Sequence, residues 1–188
     1  MAQGLLNNGV SITKNFTDNE YELLADVTVT GSAITSYTFS GLEINADEEV
    51  ILVSDVYNTV LGNGIKLFAN GNTTLTNYYT QYIDVDSTTI SSNRNNSNDM
   101  SYCPVGYSFI ITNIKLTNNG YFTFQAHANR NYGGSGIMIK ENYITSTFTL
   151  SQITSLTVSH ASTNGIAIGS RFQLYKVKGT VQQTWATT

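Results

Sequence analysis

Nowhere in this chain does apolar spacing of i, i+3, i+4, i+7 persist through three turns, so no amphipathic helix of ordinary length can be drawn. What recurs instead is a run of strand length, rich in β-branched and aromatic residues, roughly every 10–15 residues, with Gly or Asn between runs. Alternation at period two is the pattern of a strand with one buried face. It is cleanest from Tyr121 to Ala128, where Phe122, Phe124, Ala126 and Ala128 share one face and Tyr121, Thr123, Gln125 and His127 the other. One proline in the whole chain leaves these runs intact. The expected fold is all-β: an antiparallel β-sandwich, jelly-roll-like, in a single domain. No period marks a solenoid or a propeller.

The runs place the strands. Leu23 to Thr30 alternates, and Ile34 to Phe39 follows, closed by Ser40-Gly41. Val50 to Tyr57 opens with four consecutive apolar residues and reads as a central strand. Ile65–Phe68, Tyr78–Val85, Tyr107–Leu116 and Tyr121–Ala128 come next, with Asn118-Asn119-Gly120 as the hairpin turn between the last two. Ile137–Lys140 and Tyr143–Leu150 read as two strands. Ile153–Ser159 and Arg171–Lys178, joined by a glycine-rich turn, read as a closing hairpin, because Asn164-Gly165 supplies positive φ readily. The polar stretches Asp86–Ser101 and Asn129–Gly136 read as solvated loops. Residues 1–20 form an N-terminal extended arm, 21–180 the sandwich, and 181–188 a C-terminal tail with the only tryptophan, Trp185.

A chain of 188 residues suits one such domain and buries roughly 70% of its unfolded surface, enough for a core without staples. Charged residues make up 12%, about half the usual share, so Asn, Thr, Ser and Gln supply the polar surface. A net charge of −4 and no basic block exclude a nucleic-acid partner. No apolar run approaches the ~20 residues that span a bilayer, so no membrane partner is expected. The first residues have neither a basic nor an apolar region of a secretory signal, and none is expected. The one cysteine, Cys103, has no internal disulfide partner and sits in no zinc motif.

No GxSxG, HExxH, GxGxxG or P-loop is present, and the two histidines, His127 and His160, lie in no local motif. The chain is therefore not expected to be an enzyme. Cys103, a lone cysteine in a polar stretch, gives a Cys–His pair no support. Asp84, Asp86, Asn96, Asn98 and Asp99 are hard oxygen ligands near one another in sequence, yet lack the glycine and glutamate order of a calcium loop. A solvated edge and a polar loop explain them better, and no metal or cofactor is expected. Tyr78, Tyr79, Tyr82, Tyr121 and Tyr132 are candidates for a sugar-stacking platform, although tyrosines in β proteins mostly fill cross-strand pairs and the core margin.

Three tracts carry a resemblance: Thr35-Ser-Tyr-Thr-Phe-Ser-Gly-Leu42, Thr76-Asn-Tyr-Tyr-Thr-Gln-Tyr82, and the close, Ile153-Thr-Ser-Leu-Thr-Val158 with Asn164-Gly-Ile-Ala-Ile-Gly-Ser-Arg-Phe-Gln-Leu-Tyr-Lys176. Their layout resembles the small β-sandwich virion proteins of tailed bacteriophages, which decorate the capsid, form head fibres or serve as tail adhesins. The resemblance implies a virion structural protein, foremost a capsid decoration or accessory head protein acting by protein–protein contact. Its partners would be other virion proteins of capsid or tail and further copies of itself, a trimer being one form. The arm would attach it. The alternative is a tail-associated receptor-binding or carbohydrate-binding module, whose partner would be a host-surface glycan. None of the matching residues is a catalytic or ligand signature, so no site residue follows from the resemblance.

Overall fold

Period-two alternation becomes two stacked sheets in a computed structural model, which describes residues 4–5, 11–12, 20–46, 48–60, 63–86, 89–103, 106–131 and 137–178. The strands are β1 (Gly4–Leu5), β2 (Ser11–Ile12), β3 (Tyr21–Thr28), β4 (Ser36–Ile44), β5 (Glu49–Asn58), β6 (Asn63–Ala69) and β7 (Tyr78–Asp86), then β8 (Thr89–Asn95), β9 (Asp99–Cys103), β10 (Gly106–Leu116), β11 (Tyr121–Asn131), β12 (Ile137–Thr149), β13 (Ile153–His160) and β14 (Arg171–Val177). An eight-stranded sheet runs β3-β14-β5-β10-β11-β12-β7-β8 and a four-stranded sheet runs β4-β13-β6-β9. Every pairing between these strands is antiparallel. In the arm, β1 pairs with β2. The tail, with Trp185, lies outside the described residues.

The strand order defines a jelly roll. The quartet β3-β14-β5-β10 faces the quartet β4-β13-β6-β9, and in the order of those eight strands the chain passes from one sheet to the other at every step but β6 to β9, which are neighbours in the smaller sheet. The remaining four strands, β7, β8, β11 and β12, extend the larger sheet past β10. The smaller sheet therefore covers only part of the larger one. Its edge strand, β9, packs against β10, β11 and β12.

One continuous core fills the space between the sheets. Val50, Leu52, Val56, Ile110, Ile114, Phe122, Phe124, Phe172 and Leu174 point in from the larger sheet, and Phe39, Ile44, Ile65, Leu67, Leu156 and Val158 from the smaller. Each such side chain contributes about 1.5–3 kcal/mol by leaving water. Tyr37 of β4 stacks on Phe172 of β14 across the gap, with ring centroids 6.5 Å apart. Past the edge of the smaller sheet the interior turns polar. There Asn142 Nδ2 donates to the Met100 carbonyl at 2.8 Å, and Asn98 Nδ2 to the Leu67 carbonyl at 2.8 Å.

The fold class read from the sequence stands, and several local readings change. β13 and β14 are not a hairpin: β13 pairs with β4 and β6, and β14 with β3 and β5. Both strands have an apolar inner face, and the buried sides meet across the sandwich rather than lying side by side. Asn164 does take positive φ, +53°, but the connection crosses between sheets, and Ile166 bridges Ile34 and Asn58 on the way. Ser40-Gly41 does not end β4. Gly41 at φ +70° sits where the register to β13 shifts between Ile153 and Ser155, a bulge that lets the strand continue.

The polar stretch 86–101 is not a long loop, since it contains β8 and the start of β9. The β8 strand is an edge strand whose side chains are all exposed, so its sequence carries no alternation. Its backbone bonds to β7 hold it instead. The runs 137–140 and 143–150 are a single strand, β12, whose inner face holds Lys140 and Asn142 where an apolar pair would have signalled continuity. In the second expected loop, β11 reaches Asn131 and β12 begins at Ile137, with 132–136 outside the described residues.

Candidate functional site

Continuous register lines up the outward side chains of the larger sheet in rows across its strands. One row reads Phe109, Asn129, Ile139, Val85, Ile90, on β10, β11, β12, β7 and β8. The next reads Val53, Ile111, His127, Glu141, Ile83. Below it come Ile51, Asn113, Gln125, Tyr143, Gln81, Arg94, and then Glu49, Lys115, Thr123, Thr145, Tyr79. The first two rows are mainly apolar. The last two, apart from Ile51 at one end, are amides, hydroxyls and tyrosines with charges toward the ends.

Two concavities follow from this division. On the apolar half, Phe109 and Ile111 of β10 stand opposite Ile139 of β12, and the smaller outward groups of β11 leave a furrow of about 230 Å3 between them. On the polar half lies a groove of about 750 Å3, lined by Tyr79, Gln81, Arg94, Asn113, Gln125, Tyr143 and their neighbours. Hydrogen bonds fix the groove's side chains. Gln125 Nε2 donates to Tyr143 Oη at 2.9 Å, Tyr143 Oη donates to Glu141 Oε2 at 3.3 Å, and Glu141 Oε1 lies 3.2 Å from His127 Nδ1. Arg94 Nη2 donates to Gln81 Oε1 at 3.3 Å. Partial desolvation, with the Glu141 carboxylate beside it, raises the Tyr143 pKa, so the ring keeps a neutral phenol.

At the end of the apolar half, Tyr57 and Tyr107 pair edge to face with centroids 5.1 Å apart. The neighbouring Asp55 carboxylate pushes the Tyr107 phenol up to about 12, so this phenol too is neutral. At the β3–β14 margin, Arg171 grips Asp26 with two hydrogen bonds, Nε to Oδ1 at 2.8 Å and Nη2 to Oδ2 at 2.5 Å, and holds its carboxyl below the usual range.

The tyrosines proposed as a sugar platform are divided. Tyr79 lines the groove and Tyr121 is exposed, but Tyr78 is fully buried against Phe68, Phe122 and Phe148. Tyr82 points inward beneath the ammonium of Lys140, which lies 4.2 Å from its ring centroid. Tyr132 lies outside the described residues.

The histidines are far apart in role. His127 pairs with Glu141 on the outer face, while His160 ends β13 pointing inward, 2% exposed. Its Nδ1 accepts the Ser162 N–H at 2.9 Å, its Nε2 has no hydrogen-bond partner among the described residues, and Gly165 presses so close that a Cβ there would lie 1.9 Å from Nδ1. Burial lowers the His160 pKa. Cys103 closes β9, opposite Asn63.

The oxygen ligands do not converge either. Asp99 faces Lys66 at 3.9 Å, and Asn98 is buried with its amide on the Leu67 carbonyl. Among the described residues, no three His, Cys, Asp or Glu side chains gather at a metal-binding distance. Sequence reasoning missed Tyr143, Gln81, Gln125 and Asn113 as a set. Each strand's face was readable from its alternation, but lateral register decides which outward residues become neighbours. No known protein family, curated protein or solved structure matches this chain.

Proposed function

We propose that this chain is a non-catalytic structural protein of a tailed-bacteriophage virion, a capsid decoration or accessory head protein, working by protein–protein contact. The contact surface is the apolar half of the outer sheet face. The observation that carries this reading is the ridge-and-furrow surface of Tyr57, Tyr107, Phe109, Ile111, Ile139 and Ile83, each 37–51% exposed. At ~200 Å2 per large side chain they offer roughly 500 Å2 of apolar area. That is the upper range for a free monomer surface, and it matches the apolar share of one side, about 800 Å2, of a standard self-association interface.

The partner that fits first is a second copy. Of the charges on or beside this surface, Arg171 pairs with Asp26, Glu141 faces His127, and Asp55 stands in register with Phe109 and Arg171, beside the Tyr107 phenol. The jelly roll supports the same reading, since capsid and lectin domains use this architecture for assembly through sheet faces and loops. Light scattering of the purified chain tests it. The wild type is expected as a homo-oligomer, and the pair Ile111→Glu with Ile139→Glu as a folded monomer, since neither side chain enters the core. A monomeric wild type, or an unchanged mass in the variant, contradicts the proposal.

A further inference from the structure

We infer that the polar half of the same face is a carbohydrate site that takes a short, neutral oligosaccharide. The site does not depend on where the chain is carried or on self-association. Its volume, about 750 Å3, falls in the range of small-molecule sites. Its two aromatic walls, Tyr79 and Tyr143, are 51% and 47% exposed and stand on neighbouring strands, β7 and β12. A sugar ring presents C–H groups to such faces and hydroxyls at its edge. Between and beside the rings stand Gln81, Gln125 and Asn113, whose amides donate and accept and so match hydroxyls that do both.

Two features separate this groove from an ordinary polar surface. Tyr143 is held from both sides, by Gln125 and by Glu141, so its ring is set before a ligand arrives and little rotamer entropy is lost on binding. The floor is also of neutral groups: its carboxamides and hydroxyls lie between Arg94 on one side and the register pair Glu49 and Lys115 on the other, with the Glu141 carboxylate behind Tyr143. A floor of carboxamides and hydroxyls matches the uncharged hydroxyls of a neutral sugar. An apolar protein partner would leave the amides without hydrogen bonds, which is costly once buried.

The test is a glycan array of neutral and acidic oligosaccharides probed with the full chain, followed by titration calorimetry on any hit. Tyr79→Ala and Tyr143→Ala are each expected to weaken binding roughly tenfold or more. Tyr79→Phe is expected to keep it, since the ring face does the work, and the light-scattering mass is expected to stay unchanged in all three. Absence of any sugar binding by the folded wild type overturns the inference, as does equal binding by the two alanine variants. A preference for acidic sugars overturns the charge assignment. If instead the alanine variants change the oligomeric mass and no sugar binds, the groove is a protein contact.

Discussion

Tyr78 and Tyr79 are neighbours in the chain with opposite fates, and the difference is a matter of parity. Tyr78 fills the core, donates from Oη to the Asn72 carbonyl at 2.8 Å, and burial pushes its phenol up to about 12. Tyr78→Ala should cost about 3–5 kcal/mol in denaturant unfolding and Tyr78→Phe about 1 kcal/mol, whereas Tyr79→Ala should stay within about 0.5 kcal/mol. His160 gives a pH dependence whose sign is fixed. Its folded pKa lies below the unfolded 6.5, so below pH 6.5 the unfolded chain binds the extra proton. Stability is complete above pH 6.5 and falls as pH drops toward the folded pKa. The His160→Asn variant, which keeps an acceptor near the Ser162 N–H, should flatten that part of the stability–pH curve. A curve of the same slope in the variant would rule His160 out as the cause. Asp26 titrates in the acid range and acts only at lower pH.

At the scale of elements, legibility followed burial. β5, β10 and β11 were plain in the sequence because each has one buried face and the alternation survives intact. β8 was invisible because both its faces are wet, and β12 was split in two because Asn142 occupies an inward position through its bond to the Met100 carbonyl. The same difference should appear in hydrogen exchange. Amides of central β5 and β10 should open only with global unfolding, while those of edge strand β8 exchange far faster. Equal protection in β8 would mean that its edge is covered in the native assembly. Gly41→Ala should cost about 1 kcal/mol through φ alone, as among the described residues no atom beyond its chain neighbours lies within 4 Å of the added Cβ.

For the whole molecule, the topology gives a reason for the outer face. An eight-stranded jelly roll closes with two quartets facing each other. The four added strands widen one sheet, and they place β11, β12 and β7 beside β10 so that their outward residues form the furrow and the groove. The sequence showed the sandwich, because alternation and turn residues are local. It did not show which strands neighbour which, so the candidate surface, which exists only through lateral register, was out of reach. The measurement closest to the central proposal is imaging of the native particle with this chain built into density. The account predicts that copies sit on the capsid and meet through Phe109, Ile111 and Ile139. A particle in which that face looks into solvent, or one that lacks the chain altogether, would contradict it.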